Sequence, residues 1–322
     1  MEFFIKKYQK NNQKEWDAFV LKTNNGTFLH QRNYMDYHAN RFDDYSIMIY
    51  KKNKLIGILP AHIIDNEIFS HNGLTYSEIL YHNKLHLADK IEIAQQLVEY
   101  LKNINIKQWH IKSIPNIFHR IPDDANLYIY PHLKSKINWI KPFFVIFTPS
   151  FRNINRNRKR SIASTKSLSL KISQDQNYLP DYWRIIEQNL ATRHRANPVH
   201  LLTEMQLLIQ KFPKEIQFFA CLSNNEILAG AIVYKFNNTA HFQYIHANNQ
   251  EDKRNAVDFL TNYLIEHYKN EYTYISFGSA EKKGFIDQGL SYWKESFGAQ
   301  IINQYAYQID IDTAHQLNQI MQ

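Results

Sequence analysis

The sequence has a single cysteine, Cys221, among its 322 residues. An internal disulfide is therefore excluded, which fits a reducing compartment. Cys221 lies in an apolar run and reads as a small buried hydrophobe. Glycine is scarce, with eight in the chain, and the loop from His246 to Ala256 contains none. No apolar run approaches the ~20 residues that a membrane-spanning helix needs. The N-terminus turns polar too early for a signal peptide. These absences point to a soluble, cytoplasmic protein. HExxH and CxxC are both missing, so the 15 histidines read as scattered structural residues and no metal site is expected. Neither a Ser-His-Asp spacing nor a Cys-His pair stands out, which argues against a covalent intermediate on the enzyme. Acid is missing locally too. Arg152, Arg156, Arg158, Lys159, Arg160, Lys166 and Lys171 have no Asp or Glu among them, and this run carries much of the net charge of +8. Such a cluster suits a phosphate-bearing partner (RNA, a nucleotide sugar, a lipid pyrophosphate or a membrane face) or simply a solvated helix.

What is present is organised around residues 214–311. Apolar runs at Ile216–Leu222, Ile227–Phe236 and His241–Ile245, separated by Asn-rich turns, read as an antiparallel meander. Ala256, Phe259, Leu260, Tyr263 and Leu264 recur at helical spacing. A strand from Tyr272, a short helix around Leu290 and a last strand, Gln304 to Ile309, complete the series. The first half repeats this order: a hairpin across Tyr45 to Ile64 turning at Lys51–Lys54, a helix from Ala88 to Leu101 and a strand from Gln108 to Ser113. We read a diverged duplication of one α/β unit, each half a mixed sheet flanked by helices. The domains are expected at 1–148 and 149–322, with Trp139 to Phe147 closing the first sheet.

Several segments together resemble the FemABX-like branch of the GNAT superfamily. They are Gly26-Thr27-Phe28-Leu29-His30-Gln31-Arg32, Ser70-His71-Asn72-Gly73-Leu74-Thr75-Tyr76, Asn197-Pro198-Val199-His200, His241-Phe242-Gln243-Tyr244, Phe277-Gly278-Ser279 and Gly289-Leu290-Ser291-Tyr292-Trp293-Lys294-Glu295-Ser296-Phe297-Gly298. The resemblance covers nearly the whole chain. It implies two GNAT-like domains in tandem and an N-acyltransferase acting on an amine of a cell-surface saccharide or cell-wall precursor. It implies acyl-CoA, such as acetyl-CoA, as donor. Fem-like enzymes instead move an aminoacyl group from tRNA to a peptidoglycan precursor, so aminoacyl-tRNA is the alternative donor and tRNA an alternative partner. A lipid-linked substrate would bring peripheral membrane contact; DNA is not implied. Better-known GNATs hold the CoA pyrophosphate on a Gly-rich loop at a helix N-terminus, and the loop here has no glycine. A non-catalytic tandem-GNAT binding module, or an RNA-binding factor acting through the basic run, would also fit.

The candidate site residues follow. The resemblance puts Lys294 near the transferred group, where its cation could stabilise an oxyanion or leaving group. His200 follows Pro198 on a loop and is a candidate base. In a GNAT the strand carrying Gln243, Tyr244 and Ile245 splays from its neighbour and its backbone receives the donor. Lys253 and Arg254 could meet a donor phosphate at the next helix start. His241, on the same strand face as Gln243, and Phe277 are candidate substrate contacts. So are His30, His71 and Tyr76 in the first half, and Arg158 and Arg160 for a phosphorylated substrate.

Overall fold

The computed structural model describes residues 3–151, 153–194, 197–248, 255–282, 284–314 and 317. The fold is mixed α/β, and it divides into two compact units: residues 1–141 with 303–322, and residues 142–302.

In the second unit, strands Ile216–Ser223, Glu226–Lys235 and Thr239–Ala247 form the meander. Its first turn works because Asn224 and Asn225 take φ of 49° and 62°, the left-handed pair a tight hairpin requires and Asn tolerates. Lys171–Ser173 adds to the outer edge. On the other side Thr239–Ala247 runs parallel to Tyr274–Ser279, which pairs antiparallel with Phe143 to Phe147 of the strand Lys136–Phe147. Helix Asn255–Tyr268 covers one sheet face. Its Ala256, Leu260, Leu264 and Tyr268 pack with Phe219, Cys221, Val233 and Phe242. Helix Leu179–His194 lies on the opposite face. A Cβ on Gly230 would come within 2.4 Å of the Tyr182 ring, so the sheet needs glycine there.

The first unit holds the sheet Phe3–Lys7, Ile47–Lys51, Lys54–Leu59, Leu80–Tyr81. Lys52 and Asn53, at φ of 48° and 61°, turn its central hairpin. A second ladder runs from the strand Gln300–Asp310 through Gln108–Lys112, Glu67–Phe69 and His62–Ile64 to Asp43–Asp44. Helix Leu87–Asn103 buries Ile91, Ala94, Leu97, Val98 and Leu101 against Trp109, Ile111 and Ile309.

Two strands therefore differ from the expected halving at 148/149. Lys136–Phe147, expected to close the first sheet, gives Phe143 to Phe147 to the second unit. The last strand, expected in the second unit, pairs through Ala306 to Asp310 with Gln108–Lys112 of the first. Alternating apolar strands carry their face pattern in sequence but not their partner, and the first unit is completed by a strand that follows the second in the chain.

Candidate active site

Strand Thr239–Ala247 pairs with Tyr274–Ser279 only through Thr239↔Tyr274, Ala240↔Ile275 and His241↔Ser276. Beyond His241 the strand continues without that neighbour. On its other edge the register shifts between Ile232 and Val233, which face Tyr244 and Phe242, so Gln243 is the extra residue of a β-bulge. Gln243 thus has no strand partner on either edge among the described residues. The neighbouring strand is bulged as well: Ser276 faces Val145 and Ser279 faces Phe143, so Phe277 and Gly278 together stand against Phe144 alone.

Lys294 holds this second bulge. It comes from helix Gln288–Ser296, is 4 % exposed, and its Nζ donates to the carbonyls of Phe277 (2.9 Å), Gly278 (3.2 Å) and Ser279 (2.7 Å). Three donors meet three acceptors. Burial pulls this ammonium down to about 7. Gly278 has φ +65°, and a Cβ there would lie 3.3 Å from the His241 ring. The Gly278 N–H donates to Ser276 Oγ (3.2 Å), and Ser276 Oγ lies 3.1 Å from His241 Nδ1. Burial first, then the Lys294 charge, hold His241 neutral with a pKa of about 3, while the Gln243 side chain hydrogen-bonds it. Lys294, Gly278, Ser276, His241 and Gln243 form one continuous polar seam where the two strands part.

A second cluster lies further along the same strand. His200 Nδ1 is 2.9 Å from the Tyr244 hydroxyl, and the Trp183 ring meets Tyr244 edge-on. Burial pushes Tyr244 up to about 12, so its hydroxyl keeps its proton. Asn189 Nδ2 donates to the Ala247 carbonyl at 2.8 Å. Ile245 follows Tyr244 on the strand. Lys253 and Arg254 lie outside the described residues.

The other candidates have different surroundings. Phe277 is a core residue, packed edge-on against Phe242 and Trp293, and offers its carbonyl to Lys294. Arg158, on helix Arg156–Ser164, is spent on an ion pair with Asp258, which is 3 % exposed and also accepts from Ser161 Oγ and, at 2.8 Å, from Trp293 Nε1. This acid lies 100 residues from Arg158, which is why the basic run looks unopposed in sequence. Arg160 is exposed. His30 is fully buried and accepts from the Thr27 N–H at 3.0 Å, closing a local turn. Tyr76 is 1 % exposed and packs near His30 and Phe118. Both are core groups. His71 is buried against His38, Phe42 and His62, and borders a cavity of about 410 Å³ that Arg32 also lines. Ser276 was not among the sequence candidates; a glycine inside a strand run, Gly278, is the signal that marks the bulge beside it. No group of three or more His, Cys, Asp or Glu able to hold a metal occurs among the described residues, nor does any helix long and apolar enough to cross a membrane.

Residues 149–294 match the family model of the acetyltransferase (GNAT) domain. No curated protein matches the chain. Among solved structures, FemX is similar over 100 % of both chains, at 10 % identity and a TM-score of 0.68. The C-terminal domain of a putative lysylphosphatidylglycerol synthetase from Agrobacterium fabrum is similar over 96 % of both chains, at 10 % identity and 0.60. A tandem GNAT protein from the clavulanic acid biosynthesis pathway is similar over 96 % of this chain and 99 % of that one, at 9 % identity and 0.53. The chain thus shares its fold with FemX and with a tandem GNAT protein, and its residues 149–294 match the acetyltransferase (GNAT) domain.

Proposed function

We propose that the protein transfers an acyl group, such as acetyl from acetyl-CoA, to an amine of a cell-surface saccharide or cell-wall precursor in the cytoplasm. The observation that carries this reading is the parted strand pair: a backbone edge opened after His241, bulged at Gln243, beside a second bulge clamped by Lys294. An extended donor arm can lie in such a gap and be held by main-chain groups, which requires no particular side chain. Gln243, Tyr244 and Ile245 would hold the donor, and N–H groups of the open edge would meet the carbonyl oxygen as charge develops on it. The neutral acceptor amine attacks the thioester carbonyl directly. The nitrogen–carbon bond forms, the carbon–sulfur bond breaks, and the amine proton passes to His200 and then to the departing thiolate. His241 is too acidic as an imidazolium to serve as base at neutral pH, with burial holding it at about 3. Lys294 acts as a positioning residue, since its three hydrogen bonds already go to the bulge. The likeness to FemX and to a lysylphosphatidylglycerol synthetase domain supports an acceptor from the cell envelope. Calorimetry with acetyl-CoA and with free CoA tests the donor: saturable heat with both is expected. Silence at millimolar ligand, together with tight binding of aminoacyl-tRNA, would overturn the choice of donor.

A further inference from the structure

The second unit contains a cavity of about 720 Å³, walled by helix Arg156–Ser164 with the turn after it and by helix Asn255–Tyr268. It does not include the parted strands. Its apolar lining is Phe151, Ile154, Ile162, Leu170 and Phe259, all half-buried. Lys159 and Lys166 stand exposed on the lining, and Lys269 joins them, already paired with Glu266. Lys159, Ile162, Ala163 and Lys166 share one face by their helical spacing. The same helix puts Arg158 and Ser161 on Asp258 and Asn157 on Tyr292, so its inward contacts are accounted for without the lysines. The exposed Arg156 and Arg160 and the nearby Lys171 add further positive charge.

We propose that this groove binds an anionic phospholipid at a membrane surface, one acyl chain lying on the apolar floor and the phosphate meeting Lys159 and Lys166. A volume of this size accommodates a drug-sized ligand or a chain segment. The charge is complementary to phosphate, and basic residues beside an apolar surface are the combination that draws a peripheral protein to anionic lipid. A nucleic acid backbone would use the lysines but would leave Ile154, Ile162 and Leu170 of the floor uncovered. The site is independent of the acyl-transfer reading, which rests on a different part of the unit.

Flotation of the full-length protein with vesicles of phosphatidylcholine alone, or containing about 30 % phosphatidylglycerol, gives the first measurement. Binding only to the anionic vesicles is expected. The double substitution Lys159→Glu/Lys166→Glu should weaken it about tenfold or more at an unchanged melting temperature. Ala163→Trp fills the groove from an exposed position without altering charge. It should abolish calorimetric binding of a soluble short-chain phosphatidylglycerol, while glycerol 3-phosphate binds neither protein measurably. Equal binding to neutral vesicles would overturn the proposal. So would short-chain lipid binding that survives Ala163→Trp, or a charge reversal that weakens tRNA binding and leaves vesicle binding intact.

Discussion

Both units set a hairpin and a further strand ahead of a long helix, but they treat that further strand differently. In the second unit the strand before the long helix, Thr239–Ala247, has nine residues and loses its parallel neighbour after His241. Its counterpart in the first unit, Leu80–Tyr81, has two. There the backbone is consumed by the unit's own side chains: the Ile79 carbonyl accepts from Asn25 Nδ2 (2.9 Å) and Asn126 Nδ2 (3.0 Å). Glu78, 2 % exposed, accepts from Asn25 at 3.2 Å. Burial pushes the Glu78 carboxyl up to about 8, so it is largely neutral in a place where no charge is paired. One unit leaves this strand edge open and the other seals it, and the proposed donor site uses the open one.

The contrast can be broken most severely at Asp258. Asp258→Ala leaves the half-buried Arg158 without its partner and removes the acceptor of Ser161 and Trp293, and should cost about 3 kcal/mol, read as a large fall in denaturation midpoint. Arg160→Gln, on the same helix but exposed, should leave the midpoint unchanged. Equal effects would mean that the Asp258 pair does not anchor the helix. Next comes Lys294→Met, which frees the bulge and should lower turnover by about two orders of magnitude, the scale of a misplaced reacting group. If Lys294 works by holding the bulge, wild-type kcat should also change through pH of about 7, as the ammonium loses a donor, and the variant should lack that inflection. A folded variant with wild-type kcat would remove Lys294 from the mechanism.

Acid should separate the units. Burial holds His30 at about 3, His38, His62 and His119 at about 4, and His71 at about 2, all in the first unit. Groups that stay neutral when folded but bind protons when unfolded cost stability as pH falls below ~6.5, by about 1.4 kcal/mol per histidine per pH unit until the folded value is reached. Hydrogen exchange between pH 7 and 4 should show the first unit opening first. Simultaneous loss of protection would show that the histidines do not set its acid limit. The narrowest test is at Glu78, a single group. Its raised carboxyl contributes stability that is fully present below ~4.3 and lost as pH rises through about 8. Glu78→Gln should therefore melt higher than wild type at pH 9 and close to it at pH 4; a lower melting point at pH 9 would show that the ionised carboxylate is needed.

Much of the fold could be read from the residues. The hairpin turns at Lys52-Asn53 and Asn224-Asn225 announced themselves by composition, and the period of Ala256, Leu260 and Leu264 gave the helix that carries them. Partner choice could not be read, because residues 306–310 alternate equally well for either sheet. The site was legible as a set of positions more than as roles. Lys294 stood out, but its three acceptors exist only because Phe277 and Gly278 bulge from the ladder. Polar residues in Gly-containing segments, such as His30 and His71, stood out as candidate substrate contacts, and the structure buries both, with His30 closing a turn.

The pairing of Gln108–Lys112 with residues 306–310 also dictates an order of assembly. Gln108 and Gln308, joined across that ladder, are 200 positions apart, whereas residues 142–302 form a contiguous unit. On a ribosome the second unit can complete its sheet while the first still waits for its final strand. Until residue 310 has emerged, the nascent first unit exposes an unpaired strand edge, the kind of surface that invites aggregation. Circular permutation that moves residues 303–310 ahead of Phe3 would shorten that wait, and the yield of soluble protein should rise.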